Sequence, residues 1–381
     1  GENNVAIGYQ ALTAFTTGYG NTAVGGNSLD AVTEGFYNIG IGPAAGGAIT
    51  TGDYNIAIGY AAFDAATTAG STIAIGYAAL SAYSHGENSF NVAIGTQTAY
   101  LKTSGRFNTY IGGYKVADAD LTGEYNAYFG SYTNQYGTAT SNTTLIGYQA
   151  GRYATGSYNT FVGTDAGKGG TTSAPYSSGQ YNVALGYKAL TGFTTGGNNI
   201  AIGYQAADSL TTAGMVIAIG DNALQSLTTG GYGVAIGRLA MQAETATTDF
   251  VSIGNLSGQY QNKGAVAYNT YVGHTAGRYN VVGTNNTYIG HSAGENRRGS
   301  ANTAVGQGAM ENLTFGTNNV AVGISAMSYT SGSYNAVVGG YAGRFATGSY
   351  NTFMGYEAGY GGTTSAPYSS GQNNTAVGYQ A

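Results

Sequence analysis

Apolar and polar positions recur along this chain in one fixed order: Asn, a β-branched residue, a small or aromatic residue, Ile or Val, Gly, two variable residues, then Ala. The stretch Asn199-Ile200-Ala201-Ile202-Gly203-Tyr204-Gln205-Ala206 is one copy. Its glycine recurs 22 times, at 8, 25, 42, 59, 76, 95, 112, 130, 147, 163, 186, 203, 220, 237, 254, 273, 290, 306, 323, 339, 355 and 378. The dominant step is 17 residues, with excursions to 16, 18, 19 and twice 23. A fixed period of this size marks a repeat architecture, in which each unit buries its apolar face by stacking on its neighbours.

Counting from that glycine as position 0, position −1 is apolar in all 22 copies and −3 is Val, Ile or Thr in 20. Position −4 is Asn in 17 copies, and +3 is Ala, Ser or Thr in 21, with Lys115 the exception. A β-branched run bounded by Asn and Gly predicts a short strand. The density of glycine and threonine between runs argues against a helix. A second stretch, such as Ala11-Leu12-Thr13-Ala14-Phe15, reads as a second strand and leads into a turn such as Thr17-Gly18-Tyr19-Gly20. The expected fold class is therefore all-β: a parallel β-solenoid (β-roll) of about 22 stacked coils, with two short strands in each coil of about 17 residues. At about 4.8 Å per coil, residues 1–381 make a single continuous rod on the order of 100 Å long. The glycine supplies a bend closed to other residues. The Asn column either forms a hydrogen-bonded ladder along the stack or caps turns.

Two positions trade volume. Where −2 is Ala, +4 is usually large, as in Ala6/Leu12, Ala57/Phe63 and Ala304/Met310. Where −2 is bulky, +4 is often Gly, as in Leu145/Gly151, Phe161/Gly167, Tyr271/Gly277 and Phe353/Gly359. Tyr110/Val116 is large on both sides, and Gly40/Gly46 is small on both. Residues that share one close-packed space must compensate in this way. If −2 and +4 share the interior, strand alternation turns −1 and −3 outward. Position −1 is never polar, so the outer face calls for a partner of its own, another chain or another sheet. The competing reading is that the glycine bend breaks the alternation and −1 lines a corner of the core.

A longer repeat is superimposed. Residues 151–187 and 343–379 are close to identical, with a full match between Gly169–Gln180 and Gly361–Gln372. These stretches produce the two 23-residue steps and predict protruding loops. Internal modules of about 8–186 and 186–378 fit lengthening by duplication better than they fit one catalytic cleft. The chain begins at Gly1 and stops partway through a repeat, as expected for a segment of a longer polypeptide.

Composition narrows the picture further. Glycine is 66 of 381 residues, proline 3, and charged residues only 8%, with hydrophobic content at an ordinary 42%. That is neither collagen nor charge-driven disorder. A net charge of −5 gives no footprint for nucleic acid or an anionic membrane. No apolar run reaches the roughly 18 residues of a membrane-spanning helix. The absence of cysteine removes disulfides, thiolate metal sites and cysteine nucleophiles.

The unit Asn-x-Ala-Ile-Gly-x-x-Ala, as in Asn199–Ala206 or Asn55–Ala62, resembles the head repeats of trimeric autotransporter adhesins. The longer form Asn182-Val183-Ala184-Leu185-Gly186-Tyr187-Lys188-Ala189-Leu190, followed by Thr194-Thr195-Gly196, is similar to repeats of bacteriophage tail fibres and related bacterial surface fibres. The resemblance covers essentially the whole chain, although the adhesin heads use a shorter coil. It implies a left-handed parallel β-roll, three chains to a head, acting as scaffold and broad binding surface. It carries over no individual functional residue.

The search for chemistry yields little. His274 and His291 share position +1 in consecutive coils and should stack, but no carboxylate column accompanies them, so no metal site is expected. No nucleophile, base and orienter are brought together, and Gly167–Gly170 lacks the Lys-Ser/Thr ending of a phosphate loop. No cofactor is expected. Arg152, Arg278 and Arg344 each follow an Ala-Gly pair and are candidates for turn carbonyls or a neighbouring chain. Paired threonines in turns raise O-glycosylation, and ice binding less readily, because adjacent residues face opposite ways. The 35 tyrosines carry the functional colour, since rows of rings stack sugars or pack laterally against other rods. Candidate contact residues are Tyr176 and Tyr368 on the loops and Tyr60, Tyr77, Tyr187 and Tyr204 at position +1. The expectation is a non-enzymatic structural or adhesive shaft of an extracellular filament or surface fibre. Its expected partner is itself, as a homo-oligomer (a trimer, or a lateral or end-to-end filament). The alternative is a phage tail-fibre segment that binds host-surface glycans.

Overall fold

Each β-branched run becomes one strand, Val5–Ile7 the first and Thr375–Val377 the last. The computed structural model describes residues 1–86, 88–173, 176–246, 248–261, 267–296, 299–312, 315–362 and 370–381. Among these residues there are twenty-two strands and no helix, one strand to each coil. The chain divides into two units, Gly1–Thr195 and Gly196–Ala381, with eleven strands apiece.

In the first unit Val5–Ile7 pairs parallel with Thr22–Val24, that strand with Ile39–Ile41, and so on to Thr160–Val162 with Val183–Leu185. In the second, the series runs from Ile200–Ile202 paired with Gly214–Ile219 to Thr352–Met354 paired with Thr375–Val377. Equivalent repeat positions face each other, Ala6 opposite Ala23 and Ala201 opposite Ala218. The fold is a parallel β-solenoid with sequence order preserved in the sheet.

The second strand expected in each coil does not form. Positions +2 and +4 are left-handed instead: Gln10 and Leu12 at φ 54° and 53°, Asn27 and Leu29 at 59° and 49°. Left-handed residues at every second position curl the chain through consecutive turns. The stretch still bonds from coil to coil, Leu12 N–H donating to the Ser28 carbonyl at 3.0 Å and Asn27 N–H to the Tyr9 carbonyl at 2.8 Å. The curl delivers the +4 side chain inward, so that Leu29, Phe63 and Leu80 are fully buried. A left-handed backbone costs an ordinary residue about 1–2 kcal/mol. Burying a Leu or Phe side chain, at about 1.5–3 kcal/mol, offsets it.

At position 0 the requirement for glycine is steric. Gly8 has φ 136°, and a Cβ there would stand 2.6 Å from the Gly25 carbonyl oxygen of the next coil. Backbone lies directly on backbone along this edge.

The Asn column forms the ladder. The Asn38 backbone N–H donates to Asn21 Oδ1 at 2.9 Å, and Asn38 Nδ2 donates both to that oxygen at 3.2 Å and to the Gly52 carbonyl at 2.8 Å. Asn38 Oδ1 in turn accepts from the Asn55 backbone at 3.0 Å. The second unit repeats the arrangement at Asn302 and Asn319. Where −4 is Val216, Gly233 or Phe250, the strands lengthen to six residues, Gly214–Ile219, Gly231–Ile236 and Thr248–Ile253. There, backbone pairing of Gly214 with Gly231 and of Gly231 with Thr248 takes over.

Alternation holds through the strand. Ala23, Ala57, Phe161 and Tyr271 at −2 are fully buried, whereas Ile41 and Ile146 at −1 are 39% and 40% exposed. Position −1 therefore does not line a corner of the core. The two exceptions to the volume rule also resolve. A register shift between the strands Val92–Thr96 and Thr109–Tyr114 adds one residue, so the left-handed positions fall at Lys115 and Ala117. Tyr110 is thus matched by the small Ala117 in place of Val116, and Lys115 stands at +2 in place of +3. Beside Gly40 and Gly46 the vacant volume is taken by Leu29 of the preceding coil and by Ile49. A Cβ on Gly46 would lie 2.8 Å from Leu29 Cδ2 and 2.9 Å from Ile49 Cδ1.

Candidate functional site

The outer surfaces are columns, because one repeat position presents a side chain every coil. The sheet's outer face carries −1 and −3. Position −1 is apolar throughout, −3 is Thr in nine coils, and the face is partly bare: Phe129 and Ile146 in adjacent coils of the first unit are exposed, as are Val320, Val322 and Val338 in the second.

Position +1 stands beside this face. Tyr60 and Tyr77 are 55% and 52% exposed and stack with ring centroids 5.6 Å apart, 11° from parallel. Tyr187 and Tyr204 are also exposed at their positions in the two units. Tyr356 and Tyr379 stack at 5.7 Å, and His274 lies on His291 at 5.0 Å as the spacing requires.

A third column was not legible as such. Position −5 is left-handed throughout and often aromatic, and its rings stack outside the solenoid: Phe90 on Phe107 at 5.2 Å, Phe107 on Tyr125 at 5.3 Å, Tyr158 on Tyr181 at 4.9 Å, and Tyr334 on Tyr350 at 5.1 Å. The available signal was the aromatic that so often precedes the column's Asn.

The three arginines at +5 share one environment. Arg152 lies over Tyr132, Tyr136 and Tyr153 at 5.2–5.6 Å and donates from Nε to Gln135 Oε1 at 2.9 Å. Arg278 lies over Tyr260 and Tyr279 and donates to Gln259 Oε1 at 3.0 Å. Arg344 lies over Tyr329, Tyr341 and Phe345, but the preceding coil offers Ser328 where the others have Gln, and its buried Nε has no acceptor among the described residues. These side chains tie adjacent coils of their own chain together through cation–π contact.

Tyr176, expected at a protruding loop, lies back on this assembly, 5.6 Å from Tyr136 and 6.1 Å from Tyr153. Its counterpart Tyr368 lies outside the described residues. The structure therefore brings Tyr60 and Tyr77 together, joins Tyr176 to the Arg152 cluster, and keeps Tyr204 and Tyr187, the latter with Lys188 Nζ over its ring, exposed.

Among the described residues no group of three or more His, Cys, Asp or Glu could hold a metal ion, and no helix is long and apolar enough to cross a membrane. Fold and surface together define a class, the parallel β-solenoid repeat proteins, here with an aromatic-columned exterior and a partly bare sheet face. No protein-family model and no curated protein matches the chain.

Proposed function

We propose that this chain is a non-enzymatic structural and adhesive protein, the shaft of an extracellular filament or surface fibre, built by lateral association of its own copies as a trimer or a filament. The apolar and partly bare column at −1 carries this reading. A strand apolar on both faces is one meant to be covered on both. A second copy is the fitting cover because its apolar side chains recur at the same pitch of about 4.8 Å. Contact made at one coil is then repeated at the next without slippage. With charged residues at only 8%, little like-charge repulsion opposes the approach.

Light scattering on the full chain tests this. The expected mass is a multiple of 38.6 kDa, reduced by the pair Phe129→Lys and Ile146→Lys with circular dichroism unchanged. A wild-type chain that stays at the single-chain mass at all concentrations sinks the reading.

A second reading, a phage tail-fibre segment that binds host-surface glycans, is favoured by the exposed Tyr60–Tyr77 stack, since sugar faces pack on such rings. Binding on a glycan array that is lost in Tyr60→Ala/Tyr77→Ala would support it. An empty array would remove it.

A further inference from the structure

Charge is scarce in this chain, yet Lys102 and Asp120 are both fully buried, in consecutive coils of the first unit. Lys102 Nζ is 3.6 Å from Asp120 Oδ2 and donates to the Gly123 carbonyl at 2.7 Å. Tyr110 O–H donates to Asp120 Oδ2 at 2.7 Å, and Gly123 N–H donates to Asp120 Oδ1 at 3.0 Å. The Tyr110 ring lies under the ammonium and stacks on Tyr128 at 5.0 Å, closing the site with aromatic surface. A Cβ on Gly123 would stand 2.6 Å from Asp120 Oδ1, so glycine is required for this approach.

We infer that Lys102 and Asp120 are the partners of an intramolecular isopeptide bond, a covalent staple between successive coils that the folded chain forms by itself. Lys102 Nζ, as the free amine, attacks Cγ of the Asp120 carboxylic acid. The new bond is Nζ–Cγ and the bond that breaks is Cγ–Oδ2. Oδ2 leaves as water with the acid's own proton and one of the two amine protons, so the condensation balances with no oxidant, reductant or further reactant. Tyr110 O–H, on Oδ2, assists the departing oxygen. Gly123 N–H, on Oδ1, polarises the carbonyl and holds the developing negative charge.

Two further observations support the step. Burial holds the Lys102 ammonium below its ordinary range and the Asp120 carboxyl above its own, the mutual attraction of the pair notwithstanding, so both shifts run toward the uncharged forms that react. The product is also already provided for. The amide N–H would keep the Gly123 carbonyl as acceptor and the amide oxygen would keep Gly123 N–H as donor. One residue's two backbone groups thus satisfy both ends of the new bond, whereas a lone buried ion pair remains expensive to desolvate.

Intact-mass spectrometry of the folded full chain tests the proposal. The expected mass is the sequence mass less one water, and proteolysis should release a branched peptide that joins Lys102 to Asp120. Lys102→Arg, which keeps the charge but cannot condense, should restore the full mass. Tyr110→Phe should slow the appearance of the lighter species. Should Lys102→Arg fail to fold, the branched wild-type peptide decides alone. A folded wild-type chain at the full sequence mass with no branched peptide overturns the proposal, whatever its oligomeric state.

Discussion

The Phe161 ring occupies the space into which a side chain on Gly167 would project, six positions later in the same coil. In the coil of Ala184 and Leu190 the same volume is filled from the other side, and both residues are fully buried. Phe161→Ala should destabilise the chain by about 3–5 kcal/mol by leaving a cavity. Gly167→Leu should cost at least about 1–3 kcal/mol through overpacking. The double variant, which copies the Ala/Leu solution, should return to within about 1.5 kcal/mol of wild type. Urea denaturation of all four proteins measures the coupling, and simple additivity would show that the two positions do not share one space.

The Asn ladder makes a separate prediction. Asn38→Ala removes the acceptor of the Asn55 N–H and the donor to the Gly52 carbonyl, both buried. Each orphaned group costs about 1–3 kcal/mol. Amide hydrogen exchange at Asn55 should accelerate along with the loss of global stability. Asn38→Thr should be milder, because Thr72 and Thr143 serve in the same column with their hydroxyls bonded to the carbonyls of Gly70 and Ser141, two residues earlier.

At Arg344 the chain lacks what its two counterparts possess. Ser328→Gln should give the buried Nε the acceptor that Gln135 gives Arg152, raising stability by about 0.5–1.5 kcal/mol. Gln135→Ala should do the reverse at Arg152. Thermal melts of both variants check the pair, and an unchanged melt for each would mean that the Nε bonds contribute nothing.

Asp30 and Asp64 face each other across Gly47, whose Cβ, if present, would stand 3.2 Å and 2.9 Å from their carboxylate oxygens. Burial, and then the Asp30 charge, raise the Asp64 carboxyl above its ordinary 3.8. A group raised on folding favours the native state below its unfolded value, and that advantage is lost as pH rises through the folded value. Asp30→Asn should therefore raise the melting temperature at neutral pH and leave it unchanged below about pH 3.8. An equal shift at both pH values would exclude the charge as cause.

The strands and the outward −1/−3 face were legible because each follows from a two-residue alternation repeated in every coil, and the interior pair −2/+4 because its volumes compensate from coil to coil. The second strand was misread for an equally physical reason. Leu12, Leu29 and Phe63 have side chains suited to a strand, and nothing in a side chain announces a left-handed backbone forced on it by the coil's closure. Gln135 beside Arg152 was invisible for another reason: the partners lie 17 residues apart and meet only through stacking. Lys102 and Asp120 were hidden likewise, since two charges in a polar-looking turn give no sign of complete burial.

By itself the sequence determined the period, the parallel order of the coils and which side chains trade volume, because a repeat that stacks in register turns each column of letters into a column in space. The three-dimensional structure decided how each coil closes. It chose left-handed turns over a second strand, a ladder over caps for the asparagines, and a bulge that moved Tyr110 onto Ala117. Those choices depend on the sum of backbone strain, buried volume and hydrogen bonds around a whole circuit, a sum that no short stretch of chain contains.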